Sequence, residues 1–135
     1  MPFVLDASVT LGWCFGDEQQ RLTDVVNDML EENEMALVPQ IWWFEIRHAA
    51  LMGIRRQRVT TERVDGFLQK IADAPIQLKA LPDDRAVFDL AHRHRLSFYD
   101  AAYLELAQRE NVALATLDQA LARAAAAERV ALITA

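Results

Sequence analysis

Four acidic residues stand where an acid serves either as a helix cap or as a ligand. Asp6 directly follows the apolar run "PFVL", Glu45 interrupts "QIWWFEIRHAAL", Asp100 lies in "LSFYDAAYLELA", and Asp118 closely follows "VALAT". Asp6 and Asp118 suit N-cap positions, and Ser97 with Asp100 has capping-box spacing, although Glu or Gln is favoured at the third residue. Glu45 is harder to explain as a cap. Helical spacing puts it on a face with Ile41, Ala49 and Met52, where an unpaired carboxylate is costly. Arg47, two positions on, points elsewhere. Crowded into one pocket, such acids repel and raise one another's pKa values, and a cation removes that cost. An all-oxygen ligand set suits Mg²⁺ or Mn²⁺, whereas zinc calls for His or Cys. His48, His92 and His94 form no ligand pattern with the acids and are expected at the surface. Acid-lined sites of this kind serve phosphoryl transfer, in which the metal activates water and stabilises charge on the scissile phosphate. Arg55, Arg56, Arg58, Arg93 and Arg95 are candidates for holding the flanking phosphates of a nucleic acid.

The elements that must position these residues are legible from periodicity. Short apolar stretches at 2–5, 35–38, 76–81, 112–116 and 130–133 read as strands. Between them lie helical patterns: "SVTLGWCF", the segment 18–33, "IWWFEIRHAALMGIRRQR", "TTERVDGFLQKIADAP", "PDDRAVFDLAHRHR", about 98–110, and "DQALARAAAAE". Alternation of strands and helices predicts an α/β domain with a mostly parallel sheet between helical layers. Two helical segments separate the second strand from the third, and two more the third from the fourth, so the pattern leaves the strand order open. In such a sheet helix N-termini share an edge with strand C-termini, where open α/β sheets bind ligands. All four acids are expected at that edge.

Composition narrows the classes. The 135 residues are 53% hydrophobic with four glycines and four prolines, which is globular, and no apolar run approaches the length of a membrane span. The N-terminus lacks the pattern of a secretory signal, and the single cysteine, Cys14, excludes an intrachain disulfide and fits a reducing cytosol. The formal charge of −6 argues against a protein that coats nucleic acid, yet residues 17–34 hold most of the negative excess, and basic groups gather at 55–58 and 92–95. No repeat or linker divides residues 1–135, which are expected to form a single domain.

The ordered set "FVLDAS", "LVPQIWWFEI", "LSFYDAAYLELA" and "ALATLD" resembles the PIN domain, and most of all the compact VapC-type toxins of bacterial toxin–antitoxin pairs. The resemblance runs over essentially the full chain. It implies a three-layer fold with a five-stranded parallel sheet and a Mg²⁺- or Mn²⁺-dependent endoribonuclease. The family's acids carry over to Asp6, Glu45, Asp100 and Asp118, with Asp6 and Asp100 the most direct metal ligands. Glu45 would bind or position metal and water, and Asp118 would act on a second metal or through water. Ser8 and Thr116 match hydroxyl residues that line such pockets. Hydrolysis by metal-activated water, without a covalent intermediate, would leave a 5′-phosphate and a 3′-hydroxyl. The resemblance also implies a cytoplasmic homodimer silenced by a small VapB-type antitoxin, with "IWWFEI" and the adjacent helix as a groove and one of Trp42 and Trp43 turned outward. Leu121 departs from the family, which often has an aromatic there.

Other classes fit less well. A phosphate-accepting receiver domain would need paired acids after the first strand and a lysine after the last, but the lysines are Lys70 and Lys79. A haloacid-dehalogenase-type phosphatase would need an aspartate where Ser8 stands. A PIN fold acting only as a binding subunit would have little need of four acids.

Overall fold

The computed structural model describes residues 1–16 and 21–135. Strands β1 (Phe3–Leu5), β2 (Ala36–Val38), β3 (Ile76–Leu78) and β4 (Ala113–Ala115) form one parallel sheet in the order β3-β2-β1-β4. β1 and β2 are buried throughout, as expected of parallel strands covered on both faces, whereas β3 lies at an edge and is largely exposed. The helices that flank the sheet are α1 (Ala7–Thr10), continued by a 3₁₀ turn at Leu11–Trp13, then α2 (Arg21–Glu31), α3 (Gln40–Arg55), α4 (Thr61–Asp73), α5 (Asp84–His94), α6 (Phe98–Glu110) and α7 (Gln119–Ala127). The start of the helix expected from residue 18 lies outside the described residues.

The expected fifth strand is reduced to a bridge between Leu114 and Leu132. Its cause is the shortness of β4. Successive residues of a strand turn their backbone groups to opposite neighbours, so a three-residue strand facing β1 with its two ends offers only its middle residue outward. Leu114 accordingly donates to Ala131 O at 2.9 Å and accepts from Ile133 N at 2.9 Å. The third strand is also shorter than 76–81, ending at Leu78.

The strand order decides where a site can form. From β1 the chain builds outward to β2 and β3, then returns across β1 to place β4 on its other side. The C-terminal ends of β1 and β4 therefore flank the topological switch point, where the connections part and leave a crevice. Local signals set the elements around it. Ser97 caps α6 by accepting from Asp100 N at 3.0 Å, and Asp118 caps α7 by accepting from Ala120 N and Leu121 N at 2.9 and 3.2 Å. The buried stripe of α3 is Trp42, Ile46, Ala50 and Gly53, which leaves Glu45 half-buried beside it. Trp42 Nε1 donates to Thr10 Oγ1 at 3.0 Å, and that hydroxyl donates to Asp6 O at 3.1 Å, tying α3 to the end of β1. Among the described residues no helix is long and apolar enough to cross a membrane.

Candidate active site

Asp6 occupies the N-cap position of α1 but makes no capping bond. Its buried carboxylate turns toward β4 instead. Ser8 Oγ and Thr116 Oγ1 both donate to Asp6 Oδ2 at 2.7 Å. The hydroxyls are fixed in turn: Leu117 N donates to Ser8 Oγ at 2.9 Å and Asp118 N to Thr116 Oγ1 at 3.0 Å. This network joins the ends of β1 and β4 across the switch point and directs every protein hydrogen bond of the Asp6 side chain onto one oxygen.

Glu45 and Asp100 complete the arrangement from two other helices. Tyr103 Oη donates to Glu45 Oε1 at 2.7 Å, across 58 residues of sequence. Burial and the neighbouring carboxyls act on these groups together. Burial raises the pKa of Asp6, with the charges of Asp100 and Asp118 adding to it and its two hydroxyl donors opposing. Burial likewise raises Glu45, with Asp6 and Asp100 contributing, against the Tyr103 bond. Asp100 is raised first by burial and then by the charge of Asp118, against the Ser97 bond. Among the described residues none of the four forms an ion pair with Lys, Arg or His. The four acids, from four separate segments, are thus electrostatically coupled, with no compensating cation among the described residues, an arrangement typical of functional sites.

Among the described residues no group of three or more His, Cys, Asp or Glu side chains stands ready-grouped around an ion position. Asp6 is engaged through Oδ2, Glu45 through Oε1 and Asp118 through Oδ1. The donor set nevertheless fits a hard divalent cation: it is all oxygen, its charges are mutually destabilising, and no histidine or cysteine joins it. Cys14 is buried elsewhere in the core.

The arginine candidates lie apart from the acids. Arg93 Nη1 donates to Glu128 at 2.7 Å. Glu128 is at the C-terminal end of α7, about 15 Å along the helix from the Asp118 cap. Arg95 is the C-cap of α5, in left-handed conformation. Arg55 and Arg56 end α3, about 15 Å along its axis from Glu45. Arg58 lies over the Phe15 ring, 4.7 Å from its centroid, and lines with Arg56 and His48 a cleft of about 330 Å³. His48 and His92 are exposed, but His94 is mostly buried, 2.6 Å from Glu128. It departs from the surface expectation because the end of α7 brings it a carboxylate partner. Of the two tryptophans, Trp42 is buried and Trp43 is 42% exposed. Leu121, where an aromatic was expected, is fully buried beneath the Asp118 cap.

Sequence reasoning missed Tyr103. The available signal was its position three residues after Asp100 on one helix, which places both on one face.

Comparison with known proteins gives the fold a family. The structure is similar to that of PAE2754 from Pyrobaculum aerophilum, with a TM-score of 0.73 at 20% identity over 92% of this chain and 84% of that one. It is also similar to VapBC2 from Rickettsia felis bound to a DNA fragment from their promoter, with a TM-score of 0.69 at 13% identity over 98% of each chain. No curated protein matches the sequence. The family model described as the PIN domain matches residues 3–127, which is nearly the whole sequence and includes all four acids. PIN domains are generally nucleases that use divalent metals, in keeping with an oxygen-lined crevice at the switch point, and this chain belongs to the PIN domain family.

Proposed function

We propose that the protein is a Mg²⁺- or Mn²⁺-dependent endoribonuclease of the VapC toxin type, with residues 1–135 acting as one domain in the cytoplasm. The observation that carries this reading is the electrostatic coupling of Asp6, Glu45, Asp100 and Asp118 from four separate segments, with no cationic side chain paired to them among the described residues. Asp6 and Asp100 would hold the metal most directly, with Glu45 and Asp118 completing its surroundings. When bound, the cation supplies a polarised water and neutralises charge on the scissile phosphate and the leaving oxygen. The chain's own residues do the positioning. Ser8 and Thr116 hold Asp6 Oδ2, which leaves Oδ1 for the crevice. The Asp118 backbone N–H, bound to Thr116, keeps the α7 cap in register with that pair. Arg55, Arg56, Arg58, Arg93 and Arg95 are the candidates for contacts to phosphates farther along the RNA, Arg93 being also paired with Glu128.

The same reading includes a VapB-type antitoxin, a homodimer, and a hetero-oligomer of the two. Support for the antitoxin comes from an apolar groove of about 260 Å³ lined by Ile41, Phe44, Leu81, Pro82, Phe98 and Tyr99. Phe44 and Tyr99 are the sequence neighbours of Glu45 and Asp100, so a peptide seated there would contact the starts of the two helices that carry those acids. The Rickettsia felis neighbour is itself a VapBC complex. Support for self-association comes from the exposed Phe88, whose ring meets Phe98 edge-on at 4.9 Å and extends the apolar surface beyond the groove.

The test compares Mg²⁺- or Mn²⁺-dependent cleavage of a mixed cellular RNA pool by antitoxin-free wild type and Asp100→Asn. Ser97, not the Asp100 side chain, caps α6, so the variant removes charge without removing the cap. Cleavage by wild type alone, abolished by EDTA, is the expected result. Equal cleavage by both proteins would remove Asp100 from the chemistry. If neither protein cleaves and neither binds Mn²⁺, the chain is a non-catalytic PIN-fold binding subunit.

A further inference from the structure

We propose that Tyr103 is a positioning residue for Glu45: its hydroxyl holds Oε1 and thereby presents Oε2 to the metal crevice. This inference rests on the metal-dependent reading above and extends it to a residue outside the acid set.

Tyr103 is fully buried, the largest side chain to be so. A buried phenol requires a polar partner, and this one donates to Glu45 Oε1 at 2.7 Å. That bond links α6 to the second turn of α3. The hydroxyl's surroundings keep it a donor to Glu45. Burial, with the charges of Asp6 and Glu45, pushes the phenol far above its ordinary range, so it keeps its proton.

Glu45 needs such a hold. It is half-buried, faces Asp6 and Asp100 of like charge, and has no cationic partner among the described residues. A glutamate with three free torsions would swing away from that repulsion. The Tyr103 bond opposes the swing and fixes which oxygen remains for a cation. The role falls to α6, which also carries Asp100, so one helix supplies a ligand and orients a second ligand from another helix. Partners of metal ligands that act in this way typically contribute 10–100-fold to metal affinity.

The experiment measures Mn²⁺ affinity by calorimetry and thermal stability for wild type, Tyr103→Phe, Glu45→Gln and the double variant. Tyr103→Phe removes one oxygen and keeps the ring in the core. The expected result is a folded Tyr103→Phe that binds Mn²⁺ about tenfold more weakly, with a double variant no weaker than Glu45→Gln alone. That non-additivity marks action through Glu45, and a merely structural role would not produce it. The proposal is overturned if Tyr103→Phe binds as tightly as wild type, if its loss adds in full to that of Glu45→Gln, or if the variant fails to fold. A wild type that binds no Mn²⁺ would overturn the metal reading as well, which separates the two failures.

Discussion

Two carboxyl sites in this molecule, both at helix ends, are furnished in opposite ways. At the C-terminal end of α7, Glu128 receives Arg93 Nη1 at 2.7 Å and His94 Nε2 at 2.6 Å on one oxygen, and Gln108 Nε2 at 3.1 Å on the other. The His94 and Arg93 bonds hold its pKa down to about 2. At the N-terminal ends of α1, α3, α6 and α7, the crevice acids have among the described residues only hydroxyl and backbone hydrogen-bond partners, and Asp6, Glu45 and Asp100 are raised. Glu128 is a solved electrostatic problem, and its geometry ties three helices together. The crevice acids have no such partner among the described residues, which is what marks them as a candidate functional site.

The contrast is tested most severely by activity. Asp6→Asn should lower RNA cleavage by about 10²–10³-fold, whereas Glu128→Gln should leave initial rates within about twofold, both measured on proteins checked for folding by circular dichroism. A fast Asp6→Asn enzyme would place the chemistry outside the crevice. Cation binding is the next largest effect. Mn²⁺ at about 100 times its Kd should stabilise the fold by about 2.7 kcal/mol, raising Tm by about 10 °C, with the rise reversed by EDTA and strongly reduced in Asp6→Asn. Equal rises in both proteins would mean that the ion binds elsewhere.

Smaller effects sharpen the comparison from the other side. Glu128→Gln leaves Arg93 and His94 facing a neutral amide, and should cost about 1–2 kcal/mol at neutral pH without altering Mn²⁺ affinity, as read from denaturant unfolding and calorimetry. The pH dependence should show both sites at once. Asp6, Glu45 and Asp100 have folded-state pKa values above their unfolded ones, so the stability linked to them is lost as pH rises through the raised values. Glu128 is depressed from an ordinary 4.5 to about 2, so its contribution is full above 4.5 and is lost as pH falls toward 2. Metal-free protein should therefore gain a few degrees in Tm between pH 7 and about 5 and lose stability below about 4. Asp100→Asn should flatten the first limb and Glu128→Gln the second. A metal-free Tm that falls steadily from pH 7 downward would contradict the raised values in the crevice.

Much of this was legible in the sequence because it is short-range. Periodicity located every major element, and Asp118 and Ser97 cap the helices their positions suggested. Glu45 stood out because no local residue could neutralise it. Other features had no local signal. Asp6 has the sequence context of a cap and yet makes no capping bond, because Thr116, 110 residues away, offers a better donor. The arginines stood out as candidates for phosphate contacts by clustering at helix ends, but the pairing of Arg93 with Glu128, 35 residues distant, had no local signal. The fifth strand looked like its predecessors, and only the length of its neighbour reduced it to a bridge.

The sequence by itself determined the alternating α/β elements, their caps, and the presence of one acid near each of four helix starts, since neighbours within about one helical turn decide those features. The tertiary structure decided the strand order, and with it the switch point that brings the four acids together. It also decided which oxygen of Asp6 and of Glu45 remains unbound, and it found Tyr103. The reason is the same in each case. These outcomes depend on contacts between residues tens of positions apart, whose partners are chosen by packing across the sheet and not by any pattern along the chain.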